Sequence, residues 1–193
     1  TNLVGTTYTL TAEEPGTELR DASEFSTLLN ATARYERADV GLAVCLGERG
    51  DPLDAARELL REHRRNLSEG LDWVRTEGVT VEDDLQWFHA EDRIRETIVG
   101  IVAGMALGSD ATESDRPIIG FGTKSDEEVK VSARATSKLV DRGLDLSVVM
   151  SEASQAVDGD GGGHVVAAGA TVPSGREQEF LEEAAAIVRD QTD

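Results

Sequence analysis

Three consecutive glycines, then a histidine, then residues no larger than valine constrain this chain more than any other stretch: Gly159-Asp160-Gly161-Gly162-Gly163-His164-Val165-Val166-Ala167-Ala168-Gly169-Ala170. Such glycines reach φ > 0 freely, let the backbone approach a neighbour closely and leave a row of N–H groups able to face an anion. A glycine turn is expected at Gly161–Gly163, with His164 as a donor at its rim. The same residues would also serve as a tight turn between packed elements, and on chemistry alone both readings stand.

A chain of 193 residues can bury one sizeable core or two small ones. With 39% hydrophobic but only 4% aromatic residues, that core must be aliphatic. Acidic residues number 38 against 19 basic, a net charge of −19, and lysine occurs only at 124, 130 and 138. An acidic surface ordinarily repels nucleic acid, because phosphate contacts need Lys or Arg. It also matches a halophile's cytoplasm, where the screening length falls to about 3 Å and only close contacts count. Local cationic sites then matter more than net charge.

Cys45 is the single cysteine, which excludes an internal disulfide and fits a reducing cytoplasm. It lies in an apolar run and is expected in the core. No stretch approaches the ~20 apolar residues of a membrane span, so no membrane partner is expected. No signal-peptide pattern opens the chain, and a start at Thr1 without methionine is expected of a trimmed fragment.

Taken in order, residues 6–12 alternate as a strand, and Asp21 with Glu24 reads as a capping box opening a helix through Phe25, Leu28 and Leu29. The apolar run 40–47 reads as a strand buried on both faces. Asp51-Pro52 opens the longest helix, whose stripe is Leu53, Ala56, Leu59, Leu60, His63, Leu67, Leu71 and Val74. Its outer arginines, 57, 61, 64 and 65, are either a solvated face or a wall for a polyanion. His63 is expected as a structural, partly buried histidine.

A second unit is expected from residue 79, giving segments 1–78 and 79–193. Extended pieces at 79–81 and 85–90 precede a buried helix over Ile94–Leu107, where Gly100 and Gly104 leave one face smooth for close packing. His89 with Asp84, Glu91 and Asp92 is the one His-plus-carboxylate cluster; one histidine on a loop is a poor start for a dinuclear metal site, so no metal is expected here. A hairpin follows, 117–122 with 128–135. Its second strand puts Lys130, Ser132 and Arg134 on one face, either an ordinary exposed face or a phosphate site in which guanidinium clamps oxygens in a bidentate way. Asp145 caps a helix, a strand runs through Ala170–Val172, and Ser174 with Glu177 opens a last helix bearing Phe180, Leu181 and Ala184 inward. The order predicts an α/β fold, a mixed sheet flanked by helices, preceded by a helical connector region.

The motif GGGH followed by xxAAGA resembles the signature of the DHH-associated domain, the C-terminal half of DHH-family phosphoesterases. The resemblance extends further: Leu29–Arg34 (LNATAR) resembles the INAAGR segment of RecJ-type exonucleases, Gly100–Ala103 (GIVA) with Arg116-Pro117 resembles their GIVA…RP region, and Lys130-Val-Ser132-Ala-Arg134 resembles their KxSxR strand. Glu96 stands where bacterial members have histidine, and Ala135 where serine is frequent, which fits the archaeal branch better. The Asp-His-His motif that names the family is missing, since His63, His89 and His164 are far apart.

What the resemblance implies is the substrate-binding C-terminal part of a RecJ-like exonuclease acting on single-stranded DNA or RNA. Manganese or magnesium would sit in the absent N-terminal domain, and none in this chain. Arg34, Lys130, Ser132 and Arg134 would hold a terminal or near-terminal phosphate. Gly161, Gly162, Gly163 and His164 would bind phosphate oxygens near the scissile bond, with His164 able to stabilise transition-state charge. The alternatives are an oligoribonuclease or cyclic-dinucleotide phosphodiesterase of the same family, or a non-catalytic module serving replication or repair proteins.

Overall fold

The computed structural model describes residues 6–192. They fall into two compact units, Thr1–Asn66 and Leu67–Asp193, with the boundary inside one long helix.

In the first unit, helix α1 (Ala22–Arg34) starts at Asp21, whose Oδ1 accepts from the Ser23 and Glu24 N–H groups at 2.8 and 3.2 Å. The expected strand at 6–12 is reduced to one bridge, Thr9 with Asp21, because no second strand lies beside it there. The run expected as a buried strand is instead helix α2 (Ala38–Cys45). A short apolar run does not distinguish strand from helix, and here the burial is helical: Val40, Gly41 and Val44 face inward while Leu42 is 61% exposed. Gly41 permits the crossing, since a Cβ there would lie 2.5 Å from Thr32 Oγ1 of α1. Cys45 follows Val44 around the helix and is exposed, which corrects its expected core position.

Helix α3 (Asp51–Glu77) buries Leu53, Ala56, Leu60, His63 and Val74 along the expected stripe. Three of the four outer arginines are held by carboxylates: Arg57 by Glu18 (2.6 Å) and Asp54 (3.2 Å), Arg61 by Glu58, Arg64 by Glu24 (3.3 Å). A polyanion would have to displace those partners, so this face is a weak wall for one.

The second unit is built on a six-stranded mixed sheet in the order β1-β2-β3-β4-β6-β5: β1 (Thr80–Val81), β2 (Gln86–His89), β3 (Ile118–Thr123), β4 (Glu128–Arg134), β5 (Asp160–His164) and β6 (Ala167–Pro173). Only β2 and β3 run parallel; the other pairs are antiparallel. One face carries helix α4 (Val99–Ala106), packed with Phe88, Ile94, Ile98 and Ile118. Turns through 91–97 shorten this helix relative to the expected 94–107. The opposite face, with Phe121, Val129, Val131, Ala133 and Ala170, buries the inner residues of α6 (Leu146–Ala156) and α7 (Glu177–Thr192), after a short α5 (Ser137–Asp141). Asp145 caps α6 as expected, accepting from Ser147 N–H at 2.8 Å. Ser174 instead ends the sheet, donating its N–H to Glu127 O at 2.9 Å, and Glu177 is the first residue of α7.

A candidate phosphate-binding face

Strand alternation sends Val129, Val131 and Ala133 into the core beneath α6 and α7, so Lys130, Ser132 and Arg134 must emerge beneath α4. The register then builds three rows across the outer strands: Ser132–Gly169–Gly162, Arg134–Ala167–His164 and Lys130–Thr171–Asp160. The Ser132 row is floored by two glycines.

Helix α4 closes one side of this face. A Cβ on Gly100 would lie 2.7 Å from Arg134 Nη2 and 2.9 Å from Ser132 Oγ, so the guanidinium and the hydroxyl converge on one point beside the helix. A Cβ on Gly104 would lie 3.7 Å from the aliphatic stem of Arg134. The guanidinium is steadied by its own strand, Nη1 donating to Ala133 O at 2.7 Å. Ser132 is only 7% exposed. Lys130 Nζ leans over the next glycine, 3.7 Å from where a Cβ on Gly169 would stand. Two cations and a hydroxyl thus surround a floor without side chains, an arrangement suited to phosphate oxygens.

The glycine run does not form a turn. Gly161, Gly162 and Gly163 are the middle of β5, the terminal strand of the sheet, and the turn falls at Val165-Val166. Bulk excludes side chains here: a Cβ on Gly161 would lie 2.7 Å from Ser154 Oγ of α6, and one on Gly163 (φ +146°) 2.7 Å from Ala168 Cα. The ladder also decides where their amides point. Ala135 N donates to Val166 O and Ser174 N to Glu127 O, so the odd residues of β4 form its bonded pairs with β6. Gly169 then turns its amide toward Gly162, and the amides of Gly161 and Gly163 point off the open edge. Gly162, with nothing within 4 Å of a Cβ, and the exposed His164 share the Ser132 face.

Of the residues expected to hold phosphate, Lys130, Ser132, Arg134, Gly162 and His164 therefore share one face of the sheet, while Gly161 and Gly163 shape its edge. Arg34 ends α1 in the first unit. Gly169 escaped the sequence reading. The signal was there, since the alternation in AAGATV places it opposite the residues that fill the core.

His89 is used structurally. Its Nδ1 accepts from Glu91 N–H at 3.1 Å, its ring stacks on Phe121 at 5.6 Å, and Nε2 stands 3.9 Å from Glu177 Oε1. Asp84 is paired with Arg189 at 2.5 Å. Among the described residues no group of three or more His, Cys, Asp or Glu is placed to hold a metal ion.

His63 in the first unit is 7% exposed, edge-on to Tyr35 at 5.9 Å, and its Nδ1 has no hydrogen-bond partner among the described residues. Burial first, then the charges of Arg34 and Arg64, hold its pKa below the usual imidazole value. The unfolded chain, with a pKa of about 6.5, therefore takes up a proton that the folded state refuses, and stability falls as pH drops below that value. Thermal unfolding at about pH 5 and pH 7 should show a lower midpoint at the acid end, and His63→Phe should flatten that difference.

The fold and this face define an α/β domain that presents a cationic, glycine-floored strand pair beneath a helix. The DHHA1 domain family matches residues 84–190, more than half of the chain, and the chain belongs to that family. An uncharacterized protein of Methanocaldococcus jannaschii is 33% identical over 174 residues, covering 90% of this chain and 37% of that protein, so the chain spans little more than a third of that relative. RecJ from Thermus thermophilus, solved with Mn2+, shares the fold with a TM-score of 0.62 at 16% identity, covering 88% of this chain and 24% of RecJ. A DHH domain described as belonging to a family of ribosomal proteins aligns with a TM-score of 0.50 at 16% identity, over 88% of this chain and 42% of its own. Among the described residues no helix is long and apolar enough to cross a membrane.

Proposed function

We propose that this chain is the substrate-gripping part of a RecJ-like phosphodiesterase that hydrolyses single-stranded nucleic acid, from an archaeon adapted to high salt. The observation that carries the reading is the convergence of Arg134 Nη2 and Ser132 Oγ beside Gly100, with Lys130 over a glycine floor. Gripping a strand's terminal phosphate needs such a local cationic site, and the net charge of −19 leaves few other places for one.

The role proposed for this face is binding and orientation. Arg134 and Ser132 hold non-bridging phosphate oxygens, Lys130 neutralises the adjacent charge, and His164 donates to an oxygen that gains charge during reaction. Manganese or magnesium would be held by residues outside this chain; among the described residues no group of three or more His, Cys, Asp or Glu is placed to hold an ion. Activating water is therefore assigned to no residue described here.

The test is binding of a short fluorescent single strand with and without a 5′ phosphate, in about 2 to 3 M KCl where an acidic fold is screened. The phosphorylated strand should bind more tightly, and Arg134→Ala should weaken it about tenfold or more, the worth of a charge-assisted hydrogen bond. His164→Ala should lower the same affinity by a smaller factor. Folded protein whose binding neither substitution alters would leave the interaction-module reading in its place.

A further inference from the structure

We propose that Asp160, with Thr171 beside it, reads the sugar of the bound strand: its carboxylate accepts a hydrogen bond from a ribose 2′-hydroxyl, so that this face prefers RNA to DNA. This rests on the phosphate-binding reading and adds to it the choice between the two kinds of strand.

The strand registers place both residues on the phosphate face. Lys130 pairs with Thr171 and Thr171 with Asp160, one row along from Ser132–Gly169–Gly162. Residues directly opposite in antiparallel strands share a face, and a step of two residues returns to that face about 7 Å further on. Among the described residues, β4, β6 and β5 present two carboxylates on it, Glu128 and Asp160. Glu128 is paired with Lys124 at 2.9 Å. Asp160 is exposed and has no ion pair or hydrogen bond among the described residues.

The cation of its own row does not neutralise it. Lys130 Nζ leans instead over Gly169 in the phosphate row, 3.7 Å from where a Cβ there would stand. Thr171 lies between the two, which sets them two strand spacings, about 10 Å, apart. The row is also open: a hollow of about 360 Å³ is bounded in part by Glu128, Asp160, Thr171 and Pro173, with room for a pentose.

A free carboxylate is the wrong charge for a phosphate. It only accepts hydrogen bonds, and it repels an anion held beside it. Its place on this face suits a ligand that carries a donor one row away from its phosphate. A ribonucleotide has that donor in the 2′-hydroxyl, which deoxyribose lacks and by which proteins tell RNA from DNA. The spacing of about 7 Å between rows matches the reach from a phosphate to the hydroxyls of its own sugar, whereas the amines of the base lie further out. Dinucleotide-binding folds use an acidic residue for the same hydroxyl. The Thr171 hydroxyl, able to donate, completes the site by bonding the sugar oxygen whose hydrogen Asp160 accepts.

The test is fluorescence anisotropy of the full chain with three 5′-phosphorylated strands of one length, built of uridine, 2′-deoxyuridine and 2′-O-methyluridine, in about 2 to 3 M KCl. Uracil has no exocyclic amine, so base amines play no part in the comparison. The parent chain should bind the uridine strand about tenfold more tightly than the other two, as expected of one hydrogen bond to a charged group. Asp160→Ala should abolish that preference by lowering the uridine affinity alone, without lowering the unfolding midpoint. Thr171→Val, which keeps the branched shape, should reduce the preference about threefold. If Arg134→Ala weakens all three strands while Asp160→Ala leaves the ratios between them unchanged, the phosphate grip stands and the sugar assignment is wrong. Equal binding of uridine and deoxyuridine strands by the parent chain would overturn the sugar assignment as well. If Arg134→Ala binds all three strands as the parent chain does, the phosphate reading falls and the sugar assignment with it.

Discussion

Gly100→Ala is expected to weaken binding of a 5′-phosphorylated strand about 100-fold, combining the loss of one charged and one neutral hydrogen bond to phosphate. The added methyl would lie 2.7 Å from Arg134 Nη2 and 2.9 Å from Ser132 Oγ, both too short for real contacts, so both groups must leave their places. Gly104→Ala is the control on the same helix: its methyl meets the Arg134 stem at 3.7 Å, an ordinary contact, and should leave affinity within a factor of about two. If Gly100 acts through Arg134 and Ser132, Gly100→Ala should add little in a chain already carrying Arg134→Ala and Ser132→Ala. Independent, additive losses would mean that the helix is disturbed generally, and the assigned role would be wrong.

The face was legible in part because strand periodicity is strict. Val129, Val131 and Ala133 had to go inward, and that alone put Lys130, Ser132 and Arg134 together. The two glycines of α4 could be read as a close-packing stripe, since helical spacing places Gly100 and Gly104 on one side. What they pack against could not be read, because the partner is β4, more than 20 residues on. Non-local pairing is invisible to local patterns.

The errors have the same origin. The run 40–47 is apolar enough for a strand, but a strand requires neighbours, and the described sheet is confined to the second unit. Without them the run coils as α2, and Cys45 lands on its outer side. The glycines of β5 were misread in the opposite sense. Local propensity makes Gly-Gly-Gly a turn, yet α6 lies so close that only a strand without side chains fits between helix and solvent. Tertiary contact overrode propensity in both cases.

That close fit carries the largest stability prediction. Gly163→Ala should destabilise the second unit by about 2 to 5 kcal/mol, combining strain at positive φ with overpacking. At φ +146° an L side chain is disfavoured, and its methyl would lie 2.7 Å from Ala168 Cα and 2.9 Å from Ala167 O, backbone atoms that cannot swing aside. Gly161→Ala meets the Met150 carbonyl oxygen and Ser154 Oγ (2.7 Å) of α6 and Ala170 Cβ of β6 (2.9 Å), and should lose a similar amount through packing alone. Gly162→Ala meets nothing within 4 Å but stands at φ +159°, so it carries backbone strain without overpacking and should melt between the parent chain and Gly163→Ala, while reducing phosphate binding because its methyl fills the floor beside Ser132. Thermal unfolding of the three variants, with strand binding measured on each while folded, separates the two roles. Should Gly162→Ala unfold as early as Gly163→Ala and bind as well as the parent, the glycines would be serving the packing of β5 only, and the groove would have to be sought elsewhere.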